Sequence, residues 1–216
     1  MKLPRVVLVT DPAFSDDVIV RCTRDVGRVL PRGSFGVQLR DKRRPVISLR
    51  VFAWRLREVT GKVGAVLIVN GNAHVARDVG ADGVHLGGGA GSVERARAVL
   101  SRRGWVSVAA HTDGEVQRAR DEGADAVVVS PIFSTRSASS RSIPQKVGRG
   151  VAAIRSARAL APAGLFVYAL GGISSATAGA CAAAGADGVA LIRALLASGE
   201  PSRVARSIDD ALARRW

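Results

Sequence analysis

The run FGVQLRDK, residues 35–42, alternates so that Gln38, Arg40 and Lys42 fall on one face and Val37 and Leu39 on the other. Such a polar strip is either the face of an edge strand or, on a strand covered on both sides, a lining for a polar ligand. Two histidines add groups that titrate near neutral pH. His85 sits in GADGVHLGGGAG (80–91), in phase with Gly83 and Gly87 and out of phase with Val84 and Leu86. It reads as an interior histidine or as a ligand contact. His111 follows VSVAA (106–110), in phase with Ser107 and Ala109, and is the stronger candidate for proton transfer. Asn70 ends AVLIVN (65–70) in phase with Val66 and Ile68, so the bend of that strand decides where it points. The glycine pair of ALGGIS (169–174) lies where a strand hands over to a helix, a place where bare amides hold phosphate. The triple glycine 87–89 offers the same chemistry, or marks a place from which side chains have been lost.

Groups so far apart in sequence meet only where strand ends converge. Short β-branched runs at 5–11, 35–40, 65–70, 83–87, 106–110, 126–132, 166–172 and 188–192 alternate with amphipathic stretches near 16–30, 46–60, 72–79, 92–102, 113–122, 148–160, 174–184 and 202–215. Eight strands, each followed by a helix, predict an α/β chain folded as one (β/α)8 TIM barrel across residues 1–216. Ser92, Asp113 and Ser174 stand at expected helix N-caps. The tripeptide GAD recurs at Gly80, Gly123 and Gly185 before a strand each time, with Gly as the left-handed residue after a helix and Asp capping the local turn. The segment STRSASSRSIPQKV (134–147) has no apolar period and follows the sixth strand, where an active-site lid would be placed.

Composition narrows the partners. The net charge is +14, and only four of the 32 basic residues are lysines. The arginines are spread over nearly every helix with 4% aromatic residues among them, which suits a solvated arginine-rich surface better than a nucleic-acid platform. No apolar run has membrane length and MKLPRVVLVTD lacks a signal-peptide core, so a cytoplasmic chain with no membrane partner is expected. Cys22 and Cys181 lack metal-ligand spacing and are expected reduced and packed. A homodimer is left open.

The segments LVTD (8–11), VQLRDK (37–42), LIVN (67–70), GADGVHLG (80–87), VSPIFST (129–135), ALGGI (169–173) and AGADGVALI (184–192), with a histidine after the fifth strand, resemble in order and spacing the thiamin phosphate synthase and thiazole tautomerase (TenI-like) family. The resemblance implies a (β/α)8 barrel of thiamin biosynthesis acting on a phosphorylated thiamin precursor. The synthase joins hydroxymethylpyrimidine diphosphate to thiazole phosphate with loss of diphosphate. On that resemblance Gln38, Arg40 and Lys42 would hold the pyrimidine and its diphosphate, with Asn70 beside them. Thr135, the amides of Gly171 and Gly172, and Ile192 would surround the thiazole phosphate.

The departures from the synthase pattern matter as much. Gly71 and Ala90 stand where the synthase carries the two Asp that hold Mg2+, so no metal and no cofactor is expected unless synthase activity is retained. Ala109 replaces a Ser, Ala138 a Lys and Arg193 a Ser. The glycine run 87–89 then reads as the remnant of the metal loop. A phosphate site with Arg193 added, and His111 at the position matching the tautomerase histidine, imply a metal-independent isomerase of a thiazole carboxylate phosphate. The alternatives are an active synthase with arginines in place of the ion, and a non-catalytic binder of a thiamin precursor.

Overall fold

In a closed parallel barrel every strand is covered on both sides, so its alternate residues serve two separate cores. The computed structural model describes residues 4–88, 91–100, 104–135 and 147–213. In chain order these form β1 (Val6–Val9), α1 (Asp16–Gly27), β2 (Phe35–Leu39), α2 (Val46–Val63), β3 (Val66–Asn70), α3 (Ala73–Asp78), β4 (Gly83–Leu86), α4 (Val93–Val99), β5 (Trp105–Ala110), α5 (Asp113–Asp121), β6 (Ala126–Val129), α6 (Ala152–Leu160), β7 (Phe166–Leu170), α7 (Ala178–Ala183), β8 (Gly188–Leu191), α8 (Arg193–Leu196) and α9 (Pro201–Ala213). The strands run parallel in the order β1 to β8, and β8 pairs back to β1, which makes the fold a (β/α)8 barrel.

The elements stop where local chemistry stops them. Pro131, which has no amide N–H for a ladder, follows the end of β6 at Val129 and shortens the expected strand. Thr112 rather than Asp113 caps α5, in a capping box with Glu115. Ser174 does not cap α7, because the helix starts only at Ala178, four residues further on, and the Ser174 amide donates instead to the Thr177 hydroxyl. Ser92 caps α4 as expected. The single turn α8 has no counterpart in the expected pattern.

Leu8, Leu67, Val127 and Leu191 face the helices, whereas Val7, Ile68, Val128 and Ala190 face the lumen. Trp105 and Tyr168 also fill the lumen, with ring centroids 6.3 Å apart. Their neighbours make room for them: a Cβ on Gly83 would come within 2.4 Å of Trp105 Cδ1, and one on Gly188 within 2.5 Å of Tyr168 Cε1. The Tyr168 hydroxyl donates to the carbonyl of Pro4 at 2.6 Å. With these rings packed toward the strand N-termini, the C-terminal end is left for a ligand. Cys22 and Cys181 are free and buried, and burial pushes their thiols up to about 12 and about 11. No helix among the described residues is long and apolar enough to cross a membrane.

The GAD tripeptides do more than cap a turn. Gly80, Gly123 and Gly185 have positive φ, and the following Ala amides bond back to the helix, as expected. Each Asp, however, reaches away from its own turn to the preceding strand. Asp82 accepts from the Leu67 amide at 2.8 Å, Asp125 from Val106 at 2.7 Å and Asp187 from Val167 at 2.7 Å. The same oxygen accepts an arginine from the helix before that strand: Arg57 at 2.8 Å, Arg97 at 2.9 Å and Arg158 at 2.8 Å. One carboxylate thus ties a strand start, a neighbouring strand and a helix, three times around the barrel. At the seam, Arg5 beside β1 holds Asp209 of α9 through two bonds of 2.8 and 2.9 Å.

Of the three clasps, the carboxylate of Asp187 is 9% exposed, against 32% for Asp82 and 36% for Asp125. Asp187→Ala leaves the Val167 amide unpaired and removes the carboxylate from Arg158, which keeps its bonds to the carbonyls of Ala161 and Leu165, and is expected to cost about 2–4 kcal/mol, with roughly half of that for the other two. Urea denaturation of the three variants checks the order, and an Asp187→Ala cost near zero would contradict it.

Candidate active site

Asn70 continues the lumen phase of Val66 and Ile68, so the strand does not bend it away. The Gln38 amide donates to Asn70 Oδ1 at 3.4 Å. Asn70 pairs with His85 across β3 and β4, and His85 with Ser107 across β4 and β5. His85 Nδ1 lies 2.9 Å from Ser107 Oγ. Gln38, His85 and Ser107 are buried and Asn70 half-buried, so a polar tier crosses four strands above the aromatic rings.

The cations stand outside this tier. β2 ends at Leu39, so Gln38 is the member of the trio that the strand itself presents, and Arg40 and Lys42 belong to the loop that follows. Arg40 is half-buried and Lys42 exposed in the loop that follows. Thr10 fixes that loop at its start, its hydroxyl accepting from the Arg40 amide at 2.8 Å and donating to the Arg40 carbonyl at 3.1 Å. Arg44 fixes it at its end. Its guanidinium binds both Asp16 oxygens, at 2.7 and 2.8 Å, binds Asp41 at 3.1 Å, and lies 4.7 Å over the Phe52 ring. Burial opposes ionisation of Asp41, yet the Arg43 amide and the Arg44 guanidinium hold its carboxyl below the usual range. Arg44 was not distinguishable in the run RDKRR from the cations beside it.

Arg40 and Lys42 nevertheless act on the tier. Burial first, and then the charges of Arg40 and Lys42, lower His85 to about 4, so this ring is neutral near neutral pH. It can orient a neighbour or a ligand by hydrogen bonding but does not supply a positive charge.

His111 follows β5 and is exposed. Its Nδ1 lies 2.8 Å from the Ser130 carbonyl oxygen, which can only accept, so Nδ1 carries the proton and the neutral ring keeps its lone pair on Nε2. The His111 backbone amide donates to the Glu115 carboxylate, which also takes the Thr112 amide at 3.0 Å. Burial opposes ionisation of Glu115, but the hydrogen bonds from these amides keep its carboxyl below the usual range. The capping box therefore fixes the histidine's backbone and places a negative charge beside it. T-D-G-E at 112–115 carried that signal in the sequence.

On the opposite rim, Gly171 and Gly172 have φ of 107° and 65°. A Cβ on Gly172 would come within 2.7 Å of Phe133 Cβ, and one on Gly171 within 3.0 Å of Pro131. The amides of Ile132 and Phe133 donate to the carbonyls of Leu170 and Gly171 at 2.9 and 3.0 Å. The glycine pair is thus demanded by packing, and the turn's own bonds use its carbonyl side. Ser134 Oγ accepts from the Gly148 amide at 3.1 Å, drawing the two ends of the long loop together beside half-buried Thr135. Residues 136–146 of the expected lid, Ala138 included, lie outside the described residues. Ile192 is half-buried, and Arg193 is exposed at the first position of α8.

A divalent ion does not fit the donor set beside Gly71. Its amide bonds to the His85 carbonyl at 2.8 Å, its φ is 73°, and a Cβ there would meet nothing within 4 Å, so no neighbour replaces the missing carboxylate. The side chains alongside are the amides of Gln38 and Asn70 and the neutral His85, under the cations Arg40 and Lys42, whereas Mg2+ favours carboxylate oxygens. Among the described residues no cluster of three or more His, Cys, Asp or Glu is placed to hold a metal. Ala90 lies outside the described residues.

The family described as thiamine monophosphate synthase matches residues 6–195. The chain is 39% identical to the thiamine-phosphate synthase of Methanoculleus marisnigri over 194 residues, covering 89% of each chain. It is 36% identical to the thiamine-phosphate synthase of Gloeobacter violaceus over 203 residues, which is 92% of this chain and 54% of that longer one. In fold it is similar to the thiamine phosphate pyrophosphorylase from Pyrococcus furiosus, with a TM-score of 0.83, 22% identity, and 99% and 97% of the two chains covered.

His85 gives the tier a pH signature. The unfolded chain protonates this side chain near pH 6.5, the folded one only near pH 4. Between those values the unfolded state binds more protons, so stability falls as pH drops through the window and is fully present above it. From about pH 7 to about pH 5 this term amounts to about 2 kcal/mol. Chemical denaturation of His85→Gln is expected to show a correspondingly smaller loss than the parent chain, and equal losses in the two proteins would contradict a neutral, buried ring.

Proposed function

Because the chain belongs to the thiamine monophosphate synthase family, whose model spans residues 6–195, we propose that it serves thiamin biosynthesis as a metal-independent isomerase of a thiazole carboxylate phosphate. The observation that carries this reading is the fixed tautomer of His111. With Nδ1–H committed to the Ser130 carbonyl, Nε2 is the one ring position able to take a proton from a bound thiazole and return one to its exocyclic carbon, which makes the ring aromatic. Glu115 stabilises the imidazolium formed in between. The amides of Gly171, Gly172 and Ile192, with Arg193, hold the phosphate, and the neutral His85 with Gln38 and Asn70 orients the polar end of the ring. Arg40 and Lys42 draw the carboxylate toward the mouth.

A second reading, synthase activity, is favoured by the names of the relatives and by the presence of Gln38, Arg40 and Lys42. It requires a leaving diphosphate to be neutralised by arginine and lysine alone, since Gly71 supplies no carboxylate.

His111→Asn is expected to lower the rate of thiazole isomerisation by about 10²–10⁴-fold with substrate binding little changed. Single-turnover measurements check it, and equal rates would remove His111 from the reaction. Arg193→Ser is expected to weaken thiazole phosphate binding by about 1–3 kcal/mol in calorimetric titration. Unaltered affinity would place Arg193 outside the site, and binding without any turnover in the parent chain would favour a binder over an enzyme.

A further inference from the structure

α1 and α2 enclose a groove on the side of the barrel away from the mouth. Its floor is closed by Val20, Leu30 and Val59, all buried, and by Gly27, where a Cβ would come within 2.3 Å of Val63 Cγ2 and force the two helices apart. The hollow above this floor has a volume of about 560 Å³, the size of a small-molecule site. Gly27 ends α1 and Val63 ends α2, and the strands that follow begin at Phe35 and Val66. The groove therefore lies at the N-terminal ends of the strands, opposite Gln38, Asn70 and His111.

Five cations and one carboxylate line the hollow. Arg55 is committed to Asp17, and Lys62 to that carboxylate, Glu58. Arg24, Arg28 and Arg32 are exposed and have no ion pair among the described residues. Arg24 and Arg28 are one helical turn apart, about 6 Å along the axis, a spacing at which like charges repel. A helix end favours a nearby cation, but one of this pair serves α1, and α2 has Lys62. Arg32 is held in place against backbone: a Cβ on Gly64 would come within 2.6 Å of its Cζ, and the Gly33 amide donates to the Gly64 carbonyl at 2.8 Å to fix the turn beneath it. Three uncommitted guanidinium groups thus line one hollow in a chain of net charge +14, a repulsion that a bound anion relieves.

We propose that this groove binds a chain of two or three phosphates, free or carried by a nucleotide, at a site separate from the mouth. An orthophosphate bridges neighbouring guanidinium groups, whereas a phosphate chain reaches all three, with Arg28 between the others. Among the described residues no aromatic ring lines the groove for a base to stack on, and Glu58 is held by Lys62, so the site grips the phosphates without cleaving them. Calorimetric titration at physiological salt tests it in a chain carrying Arg40→Ala, Lys42→Ala and Arg193→Ser, so that the outcome does not depend on what the mouth binds. Inorganic tripolyphosphate should bind this chain at one site, at least about tenfold more tightly than orthophosphate. Adding Arg24→Ala with Arg28→Ala should weaken it at least about thirtyfold, and adding Arg32→Ala alone, outside both helices, at least about tenfold. Arg21→Ala with Arg95→Ala, the same loss of charge outside the groove, should leave the affinity within about threefold, because salt screens exposed charges beyond about 8 Å. ATP binding as tightly as tripolyphosphate would assign the site to a nucleotide's phosphates, and weaker ATP binding would assign it to the free chain; both support the proposal. Tripolyphosphate binding that is lost with the mouth substitutions, that survives the groove substitutions, that falls equally in the Arg21 and Arg95 control, or that matches orthophosphate would overturn it.

Discussion

The barrel depends on one repeated contact, a carboxylate that answers a strand amide and an arginine at the same oxygen. In the clasps of Asp82, Asp125 and Asp187 the strand amide is one that a parallel ladder leaves unpaired at its start, and the arginine crosses from the helix layer. Strand register and helix position are fixed by the same charge. A slip of one residue would move the amide and the arginine apart and turn the lumen residues outward. Because all three clasps sit at the N-terminal ends of the strands, the opposite end is freed from carrying stability and can hold polar side chains without ion partners.

That division shapes the chemistry at the mouth. The tier of Gln38, Asn70, His85 and Ser107 is bonded internally and neutral, and its histidine stays uncharged because it is buried under Arg40 and Lys42. Positive charge is supplied by the loop residues instead, held in place by Thr10 and Arg44. The mouth is therefore cationic above and neutral below, an arrangement that attracts an anionic ligand. His111 stands apart from this field, bonded to Ser130 and Glu115 rather than to the tier.

Much of this was legible from periodicity. Strand alternation placed His85 and Ser107 in the lumen because Val84, Leu86, Val106 and Val108 could not be there, and eight runs alternating with helices specify a closed barrel. Alternation speaks for Gln38 alone of the polar strip, because β2 ends at Leu39 and Arg40 and Lys42 lie in the loop beyond it, from where their charges still reach His85. The GAD carboxylates were read as turn caps because their true partners are fifteen to twenty residues back in sequence, a distance no local rule spans. Arg44 was hidden for the same reason, since its partner Asp16 belongs to another βα unit. The glycines at 83 and 188 read as the first residues of strands, and only the rings of Trp105 and Tyr168 show that they are there to leave room.

The central claim is that this barrel moves a proton through His111 and needs no divalent ion to do so. Conversion of the exocyclic thiazole carboxylate phosphate in D2O, followed by NMR in the presence and absence of EDTA, tests it most directly. The account predicts the aromatic product with one deuterium on the formerly exocyclic carbon, formed at the same rate with the chelator present. Thiazole left unconverted, together with thiamin phosphate formed from hydroxymethylpyrimidine diphosphate only when Mg2+ is supplied, would contradict it.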